Sequence, residues 1–357
     1  MEAKIVILPG DGIGAEVVAE AQRVLESIAS IFGHSFAFED HLFGGSAMDQ
    51  GLEPLPDTTR DACLSASAVL LGAVGNPKWD DLTAKTRPEN ATLELRTELG
   101  VYANLRPIPV YPELIEVTPF KRQNIKGVDL LIIRELTGGL HYGKPSYRAV
   151  VNGQRHAIDT LRYSEEEIRR VLAVAFRLAK DRRCLVTSVD KANIMESSRL
   201  WRQIANEVHA EHPDVQLEHK YVDVAALHLV QAGAKYDVVV TENMFGDILS
   251  EAASAYSGSL GMVPSASIGD GDIMLYEPIH GSAPDIAGKG IANPIGAILS
   301  AAMLLDYSLG LKLESDAVHQ AVADAIASGA RTADISTASH MSTTQMGNTV
   351  IKYLEKY

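Results

Sequence analysis

The 357-residue chain contains only two cysteines, Cys63 and Cys184. Two thiols exclude a disulfide framework and a cysteine-built metal centre. There is no run of 18 apolar residues, and strand-like sequence (KIVIL) begins almost at once. Neither a membrane span nor a signal peptide is therefore expected. Positive charge is also scarce: 32 Lys and Arg stand against 46 Asp and Glu, a formal net charge of −14. That balance argues against a nucleic-acid surface and against an anionic membrane as partner. No internal repeat and no low-complexity tract is visible. A cytoplasmic enzyme fits these absences, and a processed organellar protein fits them equally.

What is present is an ordinary globular composition, 46% hydrophobic and 22% charged. The length exceeds one comfortable core and implies two domains or one large α/β unit. Short apolar runs at 4–8, 35–39, 68–72, 128–134, 184–188, 217–222 and 236–240 read as strands. Helical patterns at 15–29, 164–181, 296–307 and 315–327 lie between or after them, so the fold class is α/β. The first strand runs into PGDGIG, whose G-x-G-x-G spacing departs from the dinucleotide fingerprint G-x-G-x-x-G. A tight strand-to-helix turn is the better reading. Residues 258–269, rich in Gly and Ser, are expected to pass back between domains.

The chemistry centres on Thr241–Glu251, TENMFGDILSE, which follows the strand at 236–240. Asp247 and Glu251 are four apart and share a helix face, where two carboxylates repel. A divalent cation held by oxygen ligands removes the conflict; an exposed acidic face is the alternative. Arg96, Arg106 and Arg134 lie at strand ends or in turns, and the guanidinium fork matches a carboxylate in two-point contact. Together they suit a substrate with two or more carboxylates, whereas any one alone reads as a surface ion pair. Lys191 and Asp223 each follow a separate strand, and a partly desolvated lysine near a metal can act as base. The stretch Tyr276–Pro294, YEPIHGSAPDIAGKGIANP, is too long for a simple connector. Its backbone donors, with His280, Asp285 and Asn293, can frame an adenosine. An acid beside the ribose favours NAD over NADP.

Taken together, LPGDGIG, LLGAVGNPKWD, RPE…LR…YANLRP, RELTGG, SVDKAN, FGDILS, GSLGM and EPIHGSAPDIAGKGIANP resemble the β-decarboxylating dehydrogenases of the isocitrate/isopropylmalate type along nearly the whole chain. The resemblance implies a two-domain α/β fold that is not a Rossmann fold. A first, NAD-binding domain would comprise about 1–101 and 258–357, and a second, about 102–257, would carry a dimerisation arm. It implies a homodimer with shared active sites, in which Lys191 and Asp223 serve the partner subunit. Arg96, Arg106 and Arg134 would hold the malate carboxylates, and Glu89, Thr92 and Leu93 would border the 3-substituent. Ile13, His280, Gly281, Ser282, Ala283, Asp285 and Asn293 would bind NAD, while Asp223, Asp247 and Glu251 would bind Mg²⁺ or Mn²⁺. Lys191, Asp223 and His141 would be catalytic. The implied reaction is oxidative decarboxylation of a 3-substituted malate, 3-isopropylmalate foremost.

The departures cluster around the substrate. Thr92 replaces a leucine, His141 a tyrosine, Val224 an asparagine, Glu251 an aspartate and Glu242 a glycine. Tyr142 is not expected to substitute for the lost tyrosine, because neighbours in an extended segment face opposite ways. Another 3-substituted malate and a catalytically weakened regulatory subunit therefore stay open as alternatives.

Overall fold

A computed structural model describes residues 1–81 and 83–357. The chain divides into two compact units: Met1–Val101, Arg106–Phe120 and Ser254–Tyr357 form the first, and Tyr102–Leu105 and Lys121–Ala253 the second. The sequence division assigned all of 102–257 to the second domain. Here Arg106–Phe120 and residues 254–257 group instead with the chain ends.

The first unit is built on β1 (Glu2–Gly10), β2 (Ser35–Asp40), β3 (Ala68–Ala73), β11 (Pro264–Gly269) and β12 (Leu275–Pro278), in the order β2-β1-β3-β12-β11. β1 pairs in parallel with β2 and β3, β12 is parallel to β3, and β11 is antiparallel to β12. Ile5 to Leu8 of β1 and every residue of β3 are buried, as expected of strands covered on both faces. One face carries Leu95 and Leu99 from α2 (Pro88–Glu98) and its C-terminal cap, packed with Val6, Leu8, Phe43, Val69 and Leu71. Cys63 lies in this cluster, and burial pushes its thiol up to about 12, so it is an inert core residue.

Helices α1 (Gly14–Phe32), α7 (Ile295–Tyr307), α8 (Lys312–Ala327) and α9 (Thr343–Leu354) belong to the same unit. In α7 every residue from Ile295 to Leu305 is buried, the behaviour of a helix that is apolar all round. Residues 264–269 are not a passage between domains but strand β11, buried from Pro264 to Ile268. Its small residues disguised it: Ser265 and Ser267 are fully enclosed yet carry no apolar signal.

The second unit orders its strands β5-β10-β8-β9, all parallel: β5 (Leu130–Glu135), β8 (Leu185–Asp190), β9 (Gln216–Tyr221) and β10 (Val238–Thr241). β4 (Val101–Ile108) contributes residues to both units. α3 (Glu165–Lys180) begins with a capping box in which Ser164 and Glu167 exchange side-chain-to-backbone hydrogen bonds. α4 (Glu196–Glu211), α5 (Val222–Ala232) and α6 (Asn243–Ser254) follow β8, β9 and β10. The unit also carries a separate antiparallel hairpin, β6 (Tyr147–Val151) with β7 (Gln154–Ile158). Among the described residues no helix is long and apolar enough to cross a membrane.

Candidate active site

In the first unit three loops meet at Asp11, a residue that reading the sequence left unassigned. Its carboxylate is 4% exposed and accepts from the backbone N–H groups of Gly45 (2.9 Å), Ser46 (2.7 Å) and Gly75 (2.9 Å). One buried acid thus ties together the loops that follow β1, β2 and β3. The only signal in the sequence was its place inside PGDGIG. The glycines of that turn have a steric reason: a Cβ on Gly12 would lie 2.0 Å from the carbonyl oxygen of Ser282, and Gly12 has φ +56°. The amide of Ile13, the N-cap of α1, donates to the same oxygen at 2.8 Å. The first turn and the 280–285 loop are therefore one structure.

In that loop Ser282 is buried, Asp285 and Gly281 are exposed, and Ala283 has φ +39°. His280 Nδ1 lies 2.9 Å from the carbonyl oxygen of Gly281, while its Nε2 is buried with no partner. Burial pulls the His280 pKa down, which keeps the ring neutral. Asn293 is otherwise engaged: its Oδ1 accepts from the amide of Ile295 at the start of α7, and its Nδ2 donates to Asp334 at 3.0 Å. Its side chain thus bridges the entry to α7, one residue ahead of the N-cap Pro294, and Asp334.

On α2, Glu89, Thr92, Leu93 and Arg96 occur at positions that share one helix face. Glu89 is exposed, Thr92 and Leu93 are half-buried, and Arg96 is 9% exposed and pairs with Glu277 at 2.7 Å. A Cβ on Gly75 would lie 3.4 Å from Glu89 Oε1 and 3.3 Å from Ser282 Oγ, so the helix face and the 280–285 loop approach a common point. Arg106, on β4, is 5% exposed.

In the second unit Arg134 lies near the end of β5, opposite Thr241 of β10. Its Nε donates to Asn243 Oδ1 at 2.9 Å and its Nη1 pairs with Asp247. Gly246 makes this possible, since a Cβ there would lie 2.8 Å from Arg134 Cβ. Asp247 is 37% exposed along its side chain, and Glu251, one turn later on α6, is exposed. Lys191 follows β8 and Asp223 opens α5; they pair at 2.5 Å, and this bond holds the Asp223 carboxyl below its ordinary range.

His141 is exposed at the end of a 3₁₀ turn, Gly139–His141, with Tyr142 half-buried just after it. The segment is not extended, so alternation of faces is not what separates these two side chains. Among the described residues no three His, Cys, Asp or Glu side chains of one chain gather closely enough to hold a metal ion.

Against known proteins, a family profile described as isocitrate/isopropylmalate dehydrogenase matches residues 4–350. A 3-isopropylmalate dehydrogenase of Anaeromyxobacter dehalogenans is 56% identical, with 99% of this chain and 100% of that protein covered. One of Bacillus subtilis is 54% identical over 97% of this chain and 95% of its own length. Among solved structures, the isocitrate dehydrogenase of Methylococcus capsulatus superposes with a TM-score of 0.88 at 32% identity, covering 99% of both chains. A β-decarboxylating dehydrogenase of Thermococcus kodakarensis gives 0.79 at 36% identity, covering 99% of this chain and 96% of that one. The chain belongs to the isocitrate/isopropylmalate dehydrogenase family.

Proposed function

We propose that this protein catalyses the NAD- and divalent-metal-dependent oxidative decarboxylation of 3-isopropylmalate to 4-methyl-2-oxopentanoate, a cytoplasmic step of leucine biosynthesis. The observation that carries the choice of substrate is the face of α2. Arg96 supplies positive charge for a carboxylate, while Thr92 and Leu93 offer a small, mostly apolar border and Glu89 an acid. With Arg96 assigned to a malate carboxylate, an isocitrate-like third carboxylate would meet Glu89 beside Thr92 and Leu93, and the repulsion disfavours it. The 56% and 54% identical relatives, both named for 3-isopropylmalate, support the same reading.

NAD suits the 280–285 loop, where the unpartnered Nε2 of His280 offers a buried polar contact and the backbone turns against Gly12. A cation suits Asp247 and Glu251 from one chain joined by Asp223 from a second copy, which accounts for the lack of a three-ligand cluster within one chain. When bound, NAD accepts the hydride and the cation stabilises negative charge on the substrate oxygens. Arg96, Arg106 and Arg134 orient the two malate carboxylates. Lys191, as the free amine, takes the hydroxyl proton with Asp223 orienting its Nζ, and His141 is the residue assigned to protonate the product enol.

The second copy is a partner of the same kind. The β6–β7 hairpin is exposed along nearly its whole length, with Val150 at 69%, and a lone two-stranded hairpin is marginal in water. On α5, Leu227 (53%) and Val230 (52%) are exposed beside Asp223. A homodimer that covers these apolar groups also delivers Lys191 and Asp223 to the other subunit. The test is kcat/KM over a panel of 3-substituted malates that includes isocitrate and 3-isopropylmalate. The highest value on isocitrate would overturn the assignment.

A further inference from the structure

The reaction described above leaves a buried acid cluster in the second unit unused. Glu135 and Glu242 are 0% and 4% exposed, and Tyr163, at 8%, interacts with both. Burial pushes both carboxyls up from their ordinary range. Glu135 accepts from the amides of Thr137 (2.7 Å) and Gly138 (2.9 Å) and so shapes the turn after β5. Glu242 precedes α6 and accepts from the amides of Met244 (3.1 Å) and Phe245 (3.0 Å), two donors that a helix start otherwise leaves unsatisfied.

From Glu242 the contacts lead directly to the substrate arginine. Tyr163 Oη lies 3.3 Å from Glu242 Oε2 and accepts from the amide of Asn243 at 3.0 Å. Asn243 Nδ2 donates to the carbonyl of Gly138 at 3.2 Å, and its Oδ1 receives Arg134 Nε at 2.9 Å. Arg134 then pairs with Asp247. Room for the phenol depends on the two glycines of the turn: a Cβ would lie 2.4 Å from the Tyr163 ring at Gly138 and 2.5 Å from its Oη at Gly139. Trp201 packs edge-on against the same ring at 5.9 Å. A flexible arginine is thus held at Nε by an amide whose own position is set by a capped helix and a wedged tyrosine.

We propose that Glu242 and Tyr163 are positioning residues that fix Asn243 and Arg134, together with the first turn of α6, in the attitude required to receive the malate. The inference rests on the reading that Arg134 binds a substrate carboxylate. It goes beyond that reading by assigning a role to two residues that do not themselves touch the substrate.

The test compares Glu242→Ala, Glu242→Gln and Tyr163→Phe, with Arg134→Lys as control. The measurements are steady-state KM for malate and for NAD, and the rise in Tm produced by malate with Mn²⁺. Supporting shells of this kind change affinity or activity by about 10–100-fold. Glu242→Ala should therefore raise KM for malate about tenfold or more, leave KM for NAD within about twofold, and shrink the malate-induced rise in Tm. Glu242→Gln keeps one oxygen acceptor but turns an NH2 toward the other helix amide, so it should recover only part of the loss. If Glu242→Ala does not fold, Tyr163→Phe carries the test, since it keeps the ring and removes only the hydroxyl. Equal losses toward malate and NAD, or an unchanged KM for malate beside a raised one in Arg134→Lys, would mean that the pair only supports the fold. An unchanged KM for malate in Arg134→Lys would remove the substrate reading itself, and the inference with it.

Discussion

Lys191 Nζ lies 2.5 Å from Asp223 Oδ1, with the two side chains 27% and 62% exposed. Exposed pairs of this kind contribute little to stability, so the contact is better explained by what it presents than by what it holds together. Because the Asp223 carboxyl is depressed, the pair is intact above the ordinary carboxylate range and is lost only as pH falls through the lowered value.

If Lys191 serves the partner's site, two inactive variants should complement each other. Lys191→Ala and Arg134→Ala, each expected to be nearly inactive alone, are mixed, dissociated and reassociated. In a symmetric dimer half of the molecules are then mixed and each has one intact site, so about a quarter of wild-type activity should return. No recovery, despite mixed dimers seen by mass, would place the whole site within one chain.

Cofactor choice should depend on Asp285. The residue is exposed in the 280–285 loop, where a carboxylate accepts from a ribose 2′-hydroxyl and repels a 2′-phosphate. The wild type should prefer NAD strongly, and Asp285→Ala should lose NAD efficiency while gaining on NADP. Comparable kcat/KM for both cofactors in the wild type would remove Asp285 from this role.

Much of this was legible in the chain because it was written as apolar runs and local spacing. β1, β3, β5 and β10 are aliphatic, and the one-face pair 247-251 follows from helical periodicity, whereas Arg96, read as lying at a strand end or in a turn, sits on helix α2. What escaped was written otherwise. β11 is buried through small residues, and Asp11 looks like any turn aspartate until three amides from separate loops converge on it. The Glu242–Tyr163 contact joins residues 79 positions apart and leaves no local trace. At Asn293 nothing along the chain signals the partners its side chain takes, the first amide of α7 and Asp334.

Chelation should abolish turnover, and Asp247→Asn should mimic it. The amide keeps the shape but lacks the charge that a hard cation requires, and it also weakens the pairing with Arg134. Mn²⁺ binding followed by calorimetry should fall with activity. Full activity in excess EDTA would leave Asp247 with only its structural partner.

His141 makes a further distinction accessible. Imidazole side chains change charge near neutrality and phenols do not. Activity should carry an ionisation between about pH 6 and 8 that His141→Tyr removes. Superimposable pH–rate profiles would make the residue a space-filler in the turn and leave protonation to Lys191 or water.

His280 should make NAD binding acid-sensitive. Burial lowers its pKa below the ordinary value of 6.5, and a proton placed on Nε2 would find no acceptor. The sign follows from linkage: the unfolded or opened loop takes up a proton more readily than the closed one. The closed loop is therefore fully favoured above pH 6.5 and is progressively disfavoured as pH falls from there toward the lowered value. KM for NAD should rise between pH 7.5 and about 5.5 while KM for malate changes less, and Tm should fall over the same interval. His280→Gln, which cannot be protonated in this range, should flatten both curves while raising KM for NAD at neutral pH through the lost ring. A pH dependence of KM for NAD that is identical in wild type and variant would assign the acid sensitivity to the carboxylates, and His280 would then be a packing residue of the loop.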